Sequence, residues 1–472
     1  MYLGSFYFDI PRSLPVLTPV SFWFILFLFL VFLLTRPFPG KLRPYILLIA
    51  DIIFLYSFSG YDLLFVLMMA LFSYMASFRI AKEKTKGNLL IGVVQVILVL
   101  AFMKYAGRFL PERGIIFPLG LSFYSFKIIS YLIDIYRGEV QQERDPLSYF
   151  NYVLFFPCIT AGPIDRAKEF FRELKEPEDF DYRDAKNGGI EFLLGLFEKV
   201  VFANYIGEIS ERIFANNELS GMNVLLGIVL YSFYIYLDFD SYSHIAIGSA
   251  RVLGFHIPKN FRTPYLSRSL KEFWSRWHIS LSAWFRDYVY IPLGGNRKGK
   301  LRQYLNILTV FLLSGLWHGS TLNFALWGLL HGLLRILEDI LFAPLRKSET
   351  LRKVLSVPAI LVNFVIVSFL WLIFRSSSLQ EVFSVLEALK RGGGLDFALI
   401  GMTRNEVWWL FAVLIITVLL DICRYFRDMI EFLADRFIVL RWHFYALLVV
   451  VFLVMGVYGG SFDPSDFIYK WF

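Results

Sequence analysis

The chain has 472 residues, of which 57% are hydrophobic, 19% aromatic and only 18% charged, with a formal net charge of +8. A soluble protein of this length needs far more polar surface, and runs such as Val16–Leu34 are too long and continuous for the short alternating strands of a β-barrel. The composition predicts an all-α polytopic membrane protein, and its two cysteines, Cys158 and Cys423, are too few for a disulfide framework or a thiolate metal site.

With a span of about 20 residues each, roughly ten to thirteen membrane segments are expected. Val16–Leu34 comes first; only Arg12 precedes it and no small-residue cleavage site follows, so it reads as a retained helix. Pro44–Phe58, Leu63–Ile80, Leu89–Met103, Ile115–Ile135, Gly189–Phe214 and Met222–Leu253 follow. Leu305–Trp317, Leu322–Phe342, Val354–Phe374, Val407–Cys423 and Phe444–Val457 complete the series. Tyr149–Pro163 and Leu305–Trp317 are short or polar for routine spans and read as re-entrant or broken helices, which need protein or a water-filled cavity around their backbone. Leu379–Lys390 reads as an amphipathic surface helix, with Gly392-Gly393-Gly394 as a flexible break after it. With neither a soluble domain nor an internal repeat, residues 1–472 are expected to form one integral membrane domain.

Arg36, Lys41 and Arg43 follow the first span, and Arg79, Lys82, Lys84 and Lys86 the third. The positive-inside rule puts both loops in the cytoplasm and the N-terminus outside. Asp165–Asn187 and Lys259–Arg302 then also face inward. The second of these sets many basic residues, among them Arg268, Arg276, Arg286 and Arg297, against Glu272 and Asp287 alone. That density exceeds what orientation needs and suits an anionic donor or anionic lipid headgroups. Charge so local to membrane loops points away from nucleic acid.

Two histidines carry the candidate chemistry. His318 lies between two apolar stretches, in Ser314-Gly315-Leu316-Trp317-His318-Gly319. An ionisable group at membrane depth is costly and usually lines a polar path or site, and imidazole exchanges a proton near neutral pH. Ser314 and the flanking glycines leave room for a ligand. His278 follows Arg276 and Trp277; on one helix Trp274, Trp277, His278, Leu281 and Trp284 would share a face. Asn323 is a candidate to orient a histidine or donor group, whereas His331 reads as structural. The competing assignment for either histidine is a packed, hydrogen-bonded core residue. Six scattered histidines without ligand spacing predict no metal site.

Four stretches resemble the membrane-bound O-acyltransferase family, in its bacterial alginate O-acetyltransferase-like branch. Phe117-Pro118-Leu119-Gly120-Leu121-Ser122-Phe123-Tyr124 is the first, and Phe155-Phe156-Pro157 with Ala161-Gly162-Pro163-Ile164 the second. The third runs from Phe273-Trp274-Ser275-Arg276-Trp277-His278-Ile279-Ser280 to Gly294-Gly295-Asn296-Arg297. The last joins Gly315-Leu316-Trp317-His318-Gly319 to Leu326-Trp327-Gly328 and His331-Gly332. They bound a core at 117–332, flanked by N-terminal helices within 1–110 and C-terminal helices within 346–472; Phe467-Ile468-Tyr469 also looks familiar for this branch. Ala161–Arg166 is similar to relatives that transfer D-alanine to teichoic acid. Two departures stand out. Asp240 and His244, four residues apart, replace a small residue and an acidic or apolar one, and Asn204 stands where the family usually has an acid.

The resemblance implies a ring of helices around a central tunnel in the bacterial cytoplasmic membrane. It implies His318 as catalytic histidine and His278 as the second signature position. The expected reaction moves a short acyl group, acetyl or D-alanyl, from acyl-CoA or an acyl-carrier thioester to a polysaccharide hydroxyl, with no bound cofactor. A periplasmic or surface acyltransferase partner would complete delivery. In this scheme His318 takes the hydroxyl's proton, His278 orients the donor or stabilises the oxyanion, and Arg276, Trp277, Asn323 and Ser314 contact substrate. The rival class is a transporter or flippase using Asp51, Glu198, Lys199, Asp238 and Asp240 as a path, although the inverted repeats of such proteins are not visible here.

Overall fold

The computed structural model describes residues 15–35, 40–58, 60–109, 117–177, 179–216, 218–342, 354–427, 429–434 and 436–456. Arg12, Arg36, Phe467-Ile468-Tyr469 and the expected span ends at Ile115 and Val457 lie outside the described residues. Among the described residues every regular element is helical, as the composition predicts. In chain order the first elements are α1 (Phe22–Thr35), α2 (Arg43–Phe58), α3 (Gly60–Lys82), α4 (Lys86–Phe109), α5 (Leu121–Arg137), α6 (Pro146–Leu154) and α7 (Ala167–Lys175). Next come α8 (Tyr182–Phe197), a π-helical segment Glu198–Ala203, α9 (Asn204–Ala215) and α10 (Met222–Leu253). The core continues through α11 (Leu270–Trp274), α12 (Ile279–Phe285), α13 (Lys300–His318) and α14 (Leu322–Leu341). The remainder is α15 (Ser356–Arg375), α16 (Leu379–Lys390), α17 (Arg404–Phe426), α18 (Met429–Ala434) and α19 (Ile438–Met455).

Gly60–Lys82, Lys86–Tyr105, Met222–Leu253, Ser356–Arg375 and Arg404–Phe426 are long and apolar enough to cross a membrane. Large side chains on them, including Leu64, Leu98, Leu361 and Leu419, point outward and exposed, a surface that lipid solvates and water does not. The chain separates into two compact units. The first comprises residues up to Phe192 with Ile245–Pro258, the second Leu193–His244 with residues from Lys259 onward, a few residues of the tail apart.

In the first unit Phe24 packs among the rings of Phe54, Phe156 and Phe192. Arg43, read from sequence as an orienting charge, is buried. It donates to the carbonyls of Glu173 at 2.8 Å and Leu253 at 3.0 Å, satisfying an orphan acceptor at the end of α10. The expected break within Tyr149–Pro163 is present: α6 stops at Leu154, and the Asp51 carboxylate accepts the Phe156 N–H at 2.8 Å. Nearby, Lys127 and Asp165 form a buried ion pair at 2.8 Å.

In the second unit three sequence expectations need correction. Leu305–Trp317 is no broken helix; it lies inside the uninterrupted α13, which pairs closely with α14. Glycines allow this approach. A Cβ on Gly315 would lie 2.2 Å from the Phe324 carbonyl oxygen, and one on Gly328 2.2 Å from that of Phe311. The span Gly189–Phe214 is divided by the π-helical turns of Glu198–Ala203. Gly392-Gly393-Gly394 is no mere flexible break, because Gly393 accepts the Met222 N–H at 3.1 Å and so holds the start of α10. The amphipathic helix before it is observed as α16, its Ser378 side chain capping the Glu381 N–H.

Candidate active site

The α13–α14 hairpin explains where His318 sits. Leu305, Leu313 and Leu316 form an exposed face of α13, while Ser314, Gly315, Trp317 and His318 are buried. His318 is the last residue of the helix. Its ring lies 4.6 Å from Trp317, 5.2 Å from Trp327 and 5.1 Å from Phe374, in each case steeply inclined. The chain must then turn beneath Phe324, where a Cβ on Gly319 would come within 2.1 Å of that ring. The turn between α13 and α14 thus follows directly on the imidazole, and three aromatic rings pack around it.

His278 is presented differently. The single helix face expected for Trp274, Trp277, His278, Leu281 and Trp284 does not form. α11 ends at Trp274, and His278 adopts a left-handed conformation (φ 43°, ψ 55°) as N-cap of α12. This backbone region is unfavourable for a residue with a Cβ, and it swings the imidazole away from Trp274. Trp274 instead packs on Trp327 at 5.8 Å and donates its indole N–H to His331 Nδ1 at 3.2 Å, the structural setting expected of His331. His278 is buried, with Phe239 at 4.7 Å and Trp317 at 6.5 Å between ring centres. Trp317 therefore touches both signature histidines, which lie about forty positions apart in sequence.

The other candidates fall into distinct settings. Ser314 lies one turn before His318 on the same helix and lines a cavity of about 170 Å³ bounded by Trp274, Leu281, Phe285, Phe311 and Arg286. Neither histidine lines that cavity. Trp277 is buried between Phe273 at 5.4 Å and Trp371 at 4.8 Å, so it forms a wall. Arg276 bonds Glu272 at 2.8 Å and the Thr263 hydroxyl at 3.2 Å, and its guanidinium covers the Tyr425 ring. Asn323 donates to the Ser376 carbonyl at 2.6 Å, joining α14 to the end of α15. The acids of the basic segment are matched within it, Glu272 with Arg276 and Asp287 with Arg286.

Asp240 and His244 approach to 3.7 Å. With Glu198 they offer donor atoms within 4.8 Å of one another, but the Arg424 guanidinium bonds both Glu198 and Asp240. The positive group between those carboxylates is supplied by the chain. Tyr236 adds a hydrogen bond to Asp421 at 2.9 Å, and Lys199 pairs with Asp238. Of the charges expected for a transport path, Glu198, Lys199, Asp238 and Asp240 are thus engaged with one another or with Arg424, while Asp51 accepts the Phe156 N–H.

Sequence reasoning missed Asn260, Trp327, Phe374 and Arg424. Trp327 stood within a signature stretch without a role, and Phe374 and Arg424 carry no local signal. Asn260 lies among loop-forming residues, where an amide is ordinarily solvent-exposed, yet it is wholly buried.

The model of the MBOAT, membrane-bound O-acyltransferase family matches residues 45–379. A probable alginate O-acetylase of Pseudomonas aeruginosa is 34% identical over 387 residues, covering 77% of this chain and 73% of that protein. A peptidoglycan O-acetyltransferase of Helicobacter pylori is 30% identical over 411 residues, covering 78% and 77%. A teichoic acid D-alanyltransferase of Bacillus subtilis is 31% identical over 237 residues, covering 48% and 59%.

Proposed function

Because the chain belongs to the membrane-bound O-acyltransferase family, we propose that this multi-pass membrane enzyme moves an acetyl group from a cytoplasmic thioester toward a hydroxyl of an exported or cell-surface polysaccharide. The observation that carries the reading is that His278 and His318, distant in sequence, both lie against the ring of Trp317. A buried site is where a positioned imidazole is most effective, since water is excluded and the substrates are held together. The polysaccharide acceptor is favoured by the relatives that act on alginate and peptidoglycan.

In this mechanism the hydroxyl oxygen attacks the thioester carbonyl carbon while His318 accepts its proton. Collapse of the tetrahedral intermediate breaks the C–S bond, and the proton passes to the departing thiolate. The products are an ester and a free thiol. The cavity beside Ser314 is large enough for a short acyl group, and Arg286 at its edge suits a phosphate-bearing carrier such as acyl-CoA. His278 is the second group at the reacting centre. Ser314 lies at the acyl end, Trp277 supports the wall, and Arg276 and Asn323 hold the surrounding segments. A periplasmic or surface acyltransferase would receive the acyl group where the acceptor polymer is out of reach.

His318→Ala tests the reading. Removing a general base is expected to lower transfer by about 10²–10⁴-fold with membrane abundance unchanged, as read by mass spectrometry of cell-surface glycans. Unaltered glycan acylation in that variant would overturn it. The D-alanyl alternative, favoured by the teichoic acid relative, is separated by the mass and nitrogen content of the group transferred.

A further inference from the structure

We propose that Asn260 is the positioning residue that holds His278 as its Nδ1–H tautomer, so that Nε2 is the hydrogen-bond acceptor it offers to substrate. The assignment rests on the acyltransfer reading for what that acceptor does, and on local hydrogen-bond chemistry for the tautomer itself.

Both ends of the Asn260 amide are determined by neighbours whose roles admit one direction. Its Oδ1 faces the Ser280 backbone N–H at 3.4 Å and the Ser280 hydroxyl at 2.6 Å. A backbone N–H only donates, so the amide atom facing it is the oxygen. At the other end Nδ2 lies 3.3 Å from Ser243 Oγ. The Ser243 hydroxyl proton is directed to the Phe239 carbonyl at 2.9 Å, which leaves Ser243 Oγ to accept from the amide. The two ends agree on one orientation. His278 Nδ1 lies 3.3 Å from that same Oδ1. An oxygen only accepts, so Nδ1 carries the proton. His278 is buried, which disfavours the charged imidazolium, and the neutral ring then has its lone pair at Nε2.

Asn260 also fixes the backbone around this histidine. Its carbonyl accepts the Ile279 N–H at 2.8 Å, holding the left-handed turn at His278 from the first residue of α12. Side chain and main chain of one residue thus set both the direction and the proton of the imidazole. The consequence narrows the role of His278. A neutral Nε2 acceptor engages an O–H or N–H of the substrate and orients it; it does not donate to an oxyanion.

The proton position is measurable without activity, by ¹⁵N NMR of the full-length protein labelled at histidine and held in nanodiscs, with the His278 signal identified by its loss in His278→Gln. The expected spectrum has a protonated Nδ1 and a bare Nε2; a proton on Nε2 would overturn the proposal. Asn260→Ala is expected to release the ring into a tautomer mixture and to lower kcat for transfer from acetyl-CoA by about 10–100-fold, with KM changed by no more than about twofold. Asn260→Asp keeps the accepting oxygen and is expected to retain the Nδ1–H tautomer. A wild-type tautomer pattern in Asn260→Ala would sink the positioning role. If the wild-type protein transfers nothing while the tautomer is as expected, the acyltransfer reading fails and the positioning assignment stands.

Discussion

His318 and His278 both lie against one indole, yet the regions that hold them use different physics. Around His318 a glycine-packed hairpin and the rings of Trp317, Trp327 and Phe374 form a close-packed wall. Around His278 a buried amide, two serines and a left-handed turn specify direction one hydrogen bond at a time. Packing tolerates small changes in angle but punishes changes in volume. Hydrogen bonding does the reverse, since an isosteric substitution removes direction while preserving shape. A site using both gains a fixed location for one imidazole and a fixed proton for the other.

The largest expected effect comes from breaking the wall. Trp327→Ala should destabilise the protein by about 3–5 kcal/mol, read as a lower thermal midpoint in detergent, with transfer lost alongside; Trp327→Phe should restore much of both. A Trp327→Ala protein of normal stability would show that His318 is not held by volume. Next in size is Gly315→Ala, which drives a methyl into the Phe324 carbonyl and should cost about 1–3 kcal/mol. Gly189→Ala is its control, since a Cβ there meets nothing within 4 Å.

A smaller effect tests whether His331 stays outside the chemistry. His331→Phe deletes the hydrogen bond from the Trp274 indole at a cost of about 0.5–1.5 kcal/mol, and specific transfer activity should persist in the folded fraction. Its loss would bring His331 into the site. The smallest effect concerns a histidine held by charge. His256 contacts Glu173 at 3.1 Å and Asp184 at 3.2 Å, and hydrogen bonds to Asp184 and then Glu173 push its pKa up to about 10. The folded value lies above the ordinary value near 6.5, so the stabilisation is fully present below that pH and fades as pH rises through about 10. The difference in thermal midpoint between wild type and His256→Ala should shrink along that course; a difference independent of pH would remove the charge argument.

Much of this was legible in the sequence because hydropathy is local. The bounds of α10 and α16 match the expected segments Met222–Leu253 and Leu379–Lys390, and the break after Leu154 follows from aromatic and proline residues in a run too short to span. His318 stands out in the sequence because polarity at membrane depth is conspicuous, and His278 because it ends an aromatic, basic run. The break at His278 was not legible, since the apolar spacing of residues 274–284 fits a continuous helix and only tertiary bonds to Asn260 favour the left-handed turn. Nor was the continuity of α13. Its short apolar run suggested an interrupted helix, whereas contact with α14 through Gly315 and Gly328 sustains it. Asn260 and Arg424 act on partners distant in sequence, and distance of that kind leaves no periodic trace.

The π-helical segment Glu198–Ala203 has a consequence for how this chain tolerates change in length. Such a segment accommodates one residue beyond the regular α-helical count. Deleting Val200 would let the ladder close as an ordinary helix and turn everything on one side of it by about 100° relative to the other. Glu198 and Lys199, which reach Arg424 and Asp238, could not both keep their partners after that rotation. A buried charge stranded in this way costs about 3–5 kcal/mol. The bulge therefore acts as a phase setting: a one-residue deletion here is felt as misalignment of a whole helix, while a one-residue deletion in an exposed loop only shortens a connection.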